Sequence, residues 1–412
     1  MKILFLAHRV PFPPDRGDRI RAFHALRYLA ERAEVDLACT ADEPTGGEQL
    51  SQLQAICRRV AIAPLGRMRM PSIARSLLTG RSASEGAFSS NSLRRTLQKW
   101  NRDETYDAVF VHCSSMTPYL DQIDISRDRV VVDLVDVDSR KWSEYAAESR
   151  GPRRMLYALE ARRVHDLERR AAARSARLLL TTSLEARLAA EACPGATVSV
   201  LANGVDLDYF GAVPDSALSR TAPNDAPTFV FTGVLDYLPN VRGICDFAAA
   251  IWPEVRREFP AARFRIVGRK PVAAVRDLAN RPGIELHADV PDVRPHLAQA
   301  TVVVAPLRIA RGVQNKVLEG MAARRAVVAT PQAAAGIDAV AGEHLLVADS
   351  PAEWTAALSL LSRSVSTRST IAAAGRRFVE RNHVWHDQLR RLDAWLGISA
   401  TSPSDVAPLL VR

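Results

Sequence analysis

The stretch Ala305–Pro331, A-P-L-R-I-A-R-G-V-Q-N-K-V-L-E-G-M-A-A-R-R-A-V-V-A-T-P, runs from the end of one strand through a loop and a helix to the next strand. An apolar strand ends at Ala305, and a loop follows that carries Arg308 and Arg311. Gly312 then opens a helix expected from about Val313 to Ala323, and a second apolar strand begins at Ala326. A helix joining two buried strands implies that the strands are parallel, since a parallel pair needs a crossover of a dozen or more residues. Lys316 and Glu319 are three apart and share a helix face. Free amides at the helix start, a lysine in the first turn and a carboxylate below it suit a diphosphate with its ribose beside the acid. An exposed Lys/Glu pair of the kind helices often show has the same spacing. Leu307, Val317, Leu318 and Met321 are core positions in either case.

The same alternation extends in both directions. Upstream, Thr228–Thr232, Phe264–Val267, Ile284–His287 and Val302–Ala305 read as strands, and Val327–Thr330 follows. Residues 211–227, G-A-V-P-D-S-A-L-S-R-T-A-P-N-D-A-P, have no periodicity and read as a linker. Before it, Ile3–Ala7, Val35–Cys39, Ala108–Val111, Val130–Leu134, Leu178–Thr181 and Val198–Leu201 read as strands between amphipathic stretches such as Arg19–Arg32 and Arg153–Arg174. The expectation is an α/β chain of two doubly wound parallel-sheet domains. Residues 1–210 form the first and 228–379 the second. Ligands of such sheets sit at the carboxyl ends of the strands, and two sheets facing each other make an interdomain cleft. Phe378–Leu396 reads as a helix lying after the second sheet is complete, and 399–412 as a frayed tail.

With 412 residues, 47% of them apolar and 25% charged, the chain is too long for one core and too apolar for disorder. No apolar run reaches the roughly 18 residues of a membrane span, and Ile3–Ala7 is too short for a secretory signal, so the expected location is the cytoplasm. Five scattered cysteines without C-x-x-C argue against disulfides and structural zinc. Of the net +9, residues 51–100 supply +8, from nine basic residues against Glu85. Arg67, Arg69, Arg75 and Arg81 interleave there with Met68, Met70, Ile73, Leu77 and Leu78. Residues 66–81 therefore suit an amphipathic helix on an anionic membrane, or a solvated basic face. Nucleic acid is not an expected partner, because aromatics are 6% and no recognition motif is present.

Several loops carry polar residues at strand ends. In R-V-P-F-P-P-D-R-G-D-R-I-R, Gly17 sits where a helix begins near Asp18, which admits an anion to the backbone amides or makes a simple tight turn. His112 ends a strand and is followed by Cys113, Ser114 and Ser115. Asp133, Asp136, Asp138 and Ser139 cluster near the same edge, at the end of the next strand and just after it, where they hold sugar hydroxyls or cap a helix. Asn203 and Gly204 read as a positive-φ turn. No G-x-G-x-x-G and no G-x-x-x-x-G-K-[ST] occurs, which argues against a dinucleotide dehydrogenase and a P-loop ATPase.

Taken in order, the loop ending in Gly17, T-T-S-L-E-A-R-L at Thr181–Leu188, N-G-V-D at Asn203–Asp206, F-T-G-V-L-D-Y-L-P-N at Phe231–Asn240, I-V-G-R at Ile266–Arg269 and G-V-Q-N-K-V-L-E-G-M-A at Gly312–Ala322 resemble retaining glycosyltransferases of family 4. D-L-V-D-V-D-S-R-K-W at Asp133–Trp142 with Q-N-K-V-L-E is similar to the sugar transferases of exosortase (PEP-CTERM) exopolysaccharide systems. The resemblance implies the GT-B architecture, two facing Rossmann-like domains, with helix 380–398 crossing back to complete the first. It implies a UDP- or GDP-linked sugar donor, a lipid-linked or oligosaccharide acceptor, and no metal or other cofactor. By that likeness Gly17, Gly233, Arg269, Gly312, Val313, Gln314, Asn315 and Glu319 meet the donor, and Glu319 grips the ribose. His112 lies near the transferred sugar, and Asp136, Asp138 and Ser139 face the acceptor. Two departures stand out. The first acid of the family's E-x7-E motif is Arg311 here, and the basic pair that usually holds the diphosphate is replaced around Val234–Asn240. Lys316 and Arg311 are the expected substitutes, with His112 completing the catalytic set. A nucleotide-sugar epimerase of GT-B build and a catalytically silent adaptor of polysaccharide assembly fit the same pattern.

Overall fold

The computed structural model describes residues 1–66, 69–211 and 226–398. Most of the expected linker, the tail 399–412, and Arg67 and Met68 of the basic segment lie outside the described residues. Thirteen strands form two all-parallel sheets among the described residues. In the first sheet, β1 (Lys2–Ala7), β2 (Glu34–Ala41), β3 (Arg59–Pro64), β4 (Ala108–His112), β5 (Val130–Val135), β6 (Arg177–Leu180) and β7 (Val198–Val200) take the order β3-β2-β1-β4-β5-β6-β7. In the second, β8 (Thr228–Val234), β9 (Arg263–Arg269), β10 (Ile284–Ala288), β11 (Val302–Ala305), β12 (Ala326–Ala329) and β13 (Leu346–Val347) take the order β10-β9-β8-β11-β12-β13. Each order reverses once, between β1 and β4 and between β8 and β11. These switch points are where such sheets open a crevice at their carboxyl ends.

Central strands such as β4 (AVFVH) and β11 (VVVA) are buried at every residue. Helices cover both faces of the sheets, so continuous apolar runs replace alternation. The second core packs Phe229, Phe231, Phe247, Phe264 and Trp354 against these strands. Two strands were not expected. β3 (RVAIAP) is only partly buried, and β13 has two residues.

Ten helices bear on the candidate site and its surroundings: α1 (Gly17–Ala30), α2 (Arg69–Leu78), α3 (Ala83–Ala87), α4 (Asp138–Glu148), α5 (Pro152–Ala173), α6 (Ser183–Ala192), α7 (Leu238–Asp246), α8 (Asn315–Ala322), α9 (Val365–Asn382) and α10 (Arg391–Leu396). The chain divides into two compact units. One runs from Met1 to Leu201 and resumes at Leu389, and the other is Ala202–Gln388. Residues 202–210 thus lie with the second unit, although the expected boundary was 210, because Val205 and Phe210 belong to its core.

The expected single helix over 378–396 is broken. α9 ends at Asn382, Val384 pairs with Val205, and a short helical turn at Trp385–Leu389 precedes α10. The same contact corrects the expectation for Gly204, which does not have positive φ. A Cβ at Gly204 would stand 2.6 Å from the Trp385 amide nitrogen, so close approach of backbone requires the glycine. From Leu389 on the chain packs in the first unit, where the Tyr28 hydroxyl donates to Asp393 at 2.8 Å and Arg177 stacks on Trp395 at 5.1 Å.

Candidate active site

In the second unit the loop after β11 reaches α8 through Gly312, whose φ of 60° suits glycine. A Cβ on Gly336 would fall 1.9 Å from the Gly312 carbonyl oxygen, so Gly336 is required for this loop to lie where it does. α8 begins at Asn315, two residues later than expected, because Gln314 is still extended (φ −86°, ψ 97°). No side chain caps this helix start, since the Gln314 side-chain amide donates instead to the Arg311 carbonyl at 2.8 Å. The Val317 amide donates to the Gln314 carbonyl at 2.9 Å, which leaves the Asn315 and Lys316 amides of the first turn for a ligand.

Lys316 projects from that first turn. Its ammonium donates to Asn240 Oδ1 at 3.3 Å and lies 5.4 Å from the centre of the Phe231 ring. Asn240, on α7, also donates to the Val234 carbonyl at 2.8 Å, which fixes the amide so that its oxygen faces the lysine. Burial lowers the Lys316 pKa to about 8, partly opposed by Glu319. Glu319 is half-buried and accepts no hydrogen bond among the described residues. Burial raises its pKa to about 7, partly opposed by Lys316. Close to this acid, Tyr209 donates to Asp292 at 3.0 Å beneath the Arg294 guanidinium, which stacks on its ring at 4.0 Å. Asn315 Oδ1 accepts from Asn203 at 3.0 Å, and the Asn203 carbonyl accepts from His383 Nδ1 at 2.8 Å.

The remaining donor candidates occupy carboxyl strand ends. Gly233 and Gly268 are register partners in β8 and β9, and a Cβ on Gly268 would collide with the Gly233 carbonyl at 1.7 Å. Arg269 ends β9, Val313 is buried in the loop before α8, and Arg311 lies in the same loop. Neither Arg269 nor Arg311 is an unpaired cation.

In the first unit β4 places His112 opposite both Ala7 of β1 and Asp133 of β5. His112 Nδ1 meets Asp133 at 3.0 Å, and Arg21 of α1 clamps the same carboxylate through two bonds of 2.7 and 2.8 Å. Arg21 also donates to the Leu201 carbonyl at 2.7 Å. Despite full burial, Arg21 and His112 hold the Asp133 carboxyl well below the usual range. The ionised acid selects the Nδ1–H tautomer, so His112 Nε2 is an acceptor, and it has no partner among the described residues. Next to it His8 is held neutral, its pKa lowered by burial to about 4. Arg9 donates to His8 Nε2 at 2.8 Å and to Asp18 at 2.6 Å.

Ligand atoms of His8, His112 and Cys113 lie within 4.8 Å of one another, a grouping no sequence spacing foretold. His8 Nε2 lies 2.8 Å from the Arg9 guanidinium and 3.3 Å from Asp18, and His8 Nδ1 has no partner among the described residues. Gly17 is exposed as the first residue of α1.

The acceptor candidates are committed differently. The Ser139 amide and hydroxyl both donate to Glu168 of α5, at 2.9 and 2.6 Å, and the Val137 amide donates to Glu185 of α6 at 2.7 Å. The start of α4 is thus capped by carboxylates from two other helices, not by its own Asp138 or Ser139. Asp136 accepts from Thr181 at 2.8 Å, and burial, with Glu185 nearby, raises its pKa to about 6. Asp138 pairs with Lys141 at 3.9 Å. Val135, at φ 71°, marks an irregularity in the β5–β6 register that turns the chain toward Asp136.

Residues 226–364 match the family described as Glycosyl transferases group 1. No curated protein matches the chain. Among solved structures, a sucrose-phosphate synthase from Thermosynechococcus elongatus superposes with a TM-score of 0.70 at 13% identity, covering 96% of this chain and 98% of its own. HepE from Anabaena, in complex with UDP and glucose, gives 0.67 at 13% identity over 96% and 99%. An E. coli structure described as trehalose-6-phosphate bound with UDP-2-fluoro glucose gives 0.65 at 14% identity over 98% and 100%. The chain therefore has the GT-B fold, and together with the family match this supports a glycosyltransferase of that build.

Proposed function

We propose that the protein is a retaining glycosyltransferase that moves a sugar, a hexose in our reading, from a nucleotide diphospho-sugar to a growing, lipid-linked exopolysaccharide acceptor. The single observation that carries this is the start of α8. Uncapped amides, a lysine aimed by Asn240 and an acid without donors stand together on one helix. The amides and Lys316 suit a diphosphate, and Glu319 suits the two hydroxyls of a ribose, which would supply the donors it lacks. HepE is described in complex with UDP, which favours a uridine donor. The family 4 and exosortase-system likenesses support the finer assignment.

In this reading the chemistry is departure of the diphosphate from an anomeric carbon. Charge grows on the phosphate oxygens, and Lys316 with the α8 amides meets it from fixed positions. That supply of positive charge is our reason to propose departure without a metal, with Arg311 as the second cation. His112 Nε2, an oriented acceptor, would receive a sugar hydroxyl. No side chain of the described site is placed as a nucleophile, so retention would follow from attack on the face the nucleotide leaves. Among the described residues no helix is long and apolar enough to cross a membrane. The proposed contact with the inner membrane surface is peripheral, through residues 66–81.

Thermal shift with UDP, GDP and their glucose and mannose conjugates tests the donor site, since a ligand that binds only the folded state raises its apparent stability. A shift with one nucleotide series that is abolished by Lys316→Met is expected. Absence of any shift at millimolar nucleotide would refute the proposal.

A further inference from the structure

The arrangement of α4 and α5 points to a second surface. α5 leads into β6, so its C-terminal end lies at the amino edge of the first sheet, while its Glu168 is bonded to Ser139, just past the carboxyl end of β5. α5 extends a further sixteen residues on the N-terminal side of Glu168, and α4 runs antiparallel beside it, with Trp142 and Tyr145 stacking on Tyr157 at 5.6 and 6.1 Å. The hairpin therefore extends roughly 24 Å along α5 from Glu168 to the helix start, at 1.5 Å per residue.

Its tip is unusual for a solvated surface. Met155, Leu156 and Leu159 are 75%, 55% and 42% exposed. Positions 155 and 159 are one turn apart with 156 beside them, so the three form a single apolar patch. Arg150, Arg153 and Arg154 flank it, and none of them pairs with a carboxylate among the described residues. Residues 140–163 hold seven basic and three acidic side chains, and one of those acids, Glu160, is spent on the Ala83 and Ser84 amides of α3. That bond also straps α3 to the hairpin. α2 packs closely on α3, where a Cβ at Gly86 would stand 2.6 Å from Ile73 Cα. α2 itself exposes Met70 at 70% and Leu78 at 88%.

We propose that the α4–α5 tip is the principal membrane-docking surface, seating Met155, Leu156 and Leu159 among the acyl chains of an anionic bilayer while its arginines meet the headgroup phosphates. The inference deepens the lipid-linked acceptor reading and rests on it. A second copy of the chain is the poorer occupant, because a two-fold contact would bring Arg150, Arg153 and Arg154 against their own images. An aqueous acidic partner would satisfy the arginines and leave the patch wet. A bilayer satisfies both, and Trp142, Tyr145 and Tyr157 behind the patch are the side chains that favour headgroup depth.

The test is co-sedimentation of the full chain with vesicles of phosphatidylcholine alone or containing one third phosphatidylglycerol. The wild type is expected to pellet with the anionic vesicles only, and to be released by salt. Met155→Asp/Leu156→Asp should lower partitioning at least roughly tenfold, and Arg150→Glu/Arg153→Glu/Arg154→Glu at least roughly a hundredfold. Both variants should keep the wild-type circular dichroism and nucleotide thermal shift. The proposal is overturned if both variants pellet like the wild type, if only Met70→Asp/Leu78→Asp releases the protein, or if light scattering shows that the tip variants dissociate an oligomer. A wild type that binds the vesicles yet shows no nucleotide shift would support this surface while removing the donor-site reading.

Discussion

Replacing Glu319 with glutamine should make the protein more stable above neutral pH and less able to hold a nucleotide. Desolvation raises the pKa of this carboxyl from 4.5 to about 7. The native state therefore binds a proton that the unfolded state has lost between those values, and stability falls as pH rises through the interval. At about 1.4 kcal/mol per pH unit the full interval corresponds to roughly 3 kcal/mol, an upper limit because the group is half-buried and water screens it. The amide in Glu319→Gln cannot ionise and escapes that loss. The stability difference between variant and wild type should be small near pH 4, grow through pH 7, and level off above it. For a unit of this size a gain of that order raises Tm by roughly 6 to 12 °C at most. Comparing the two proteins at each pH cancels Asp136 and Glu168, whose burial pushes them up to about 6 and about 7. Thermal melts at half-unit steps, with and without UDP, are the assay. A difference that stays flat with pH, or an undiminished UDP shift in the variant, would refute the placement of an undercompensated carboxylate at this helix.

Three further outcomes are expected. Lys316→Met removes the ammonium that Asn240 orients and should abolish the nucleotide thermal shift without lowering Tm, because burial already disfavours the charge. Arg21→Leu leaves Asp133 buried without its clamp and should cost about 3 to 5 kcal/mol in urea denaturation, a loss that Asp133→Asn in the same chain should partly restore. Gly336→Ala drives a Cβ toward the Gly312 carbonyl at 1.9 Å and should weaken UDP binding at least roughly tenfold by displacing the loop before α8, read by titration calorimetry.

The parallel sheets were legible because their central strands are covered on both faces and so read as unbroken apolar runs. β3 and β13 were not, being half-buried or two residues long. In the candidate site, Lys316 and Glu319 could be paired by helix periodicity alone. Asn240 had no such signal, since it comes within reach of Lys316 through the packing of α7 beside β8, and nothing local to either residue announces it. His8 is a similar case. It follows β1, and only the β1–β4 register, with Ala7 opposite His112, makes the two rings neighbours at 5.6 Å between centres. Of the two readings open for Asp138 and Ser139, sugar contact and helix capping, the second does not hold, for a related reason. Local sequence suggested that they cap their own helix, whereas Glu168 and Glu185, remote in the chain, do so. An acid in the middle of a long arginine-rich helix looks solvated until its neighbours are known.

The contrast among buried carboxylates narrows the choice of site more than any single residue does. Asp133 has a bidentate arginine and a histidine, and its pKa is depressed in spite of burial. Asp18 is likewise depressed, with His8, Arg9 and Arg16 around it. Glu168 accepts two hydrogen bonds, and burial outweighs them in raising it. In each of these the fold supplies the donors. Glu319 has only the attraction of Lys316, itself a cation that burial disfavours, although a core leucine at the same position would cost the fold nothing in desolvation. Lys316 has the Asn240 oxygen and the Phe231 ring, whereas Glu319 accepts no hydrogen bond among the described residues. In the proposed function the missing partners come from the donor, which would bring negative charge to the lysine and hydroxyl donors to the acid within one small molecule. A diphosphate attached to a ribose meets that description, and neither an inorganic anion nor a neutral sugar does.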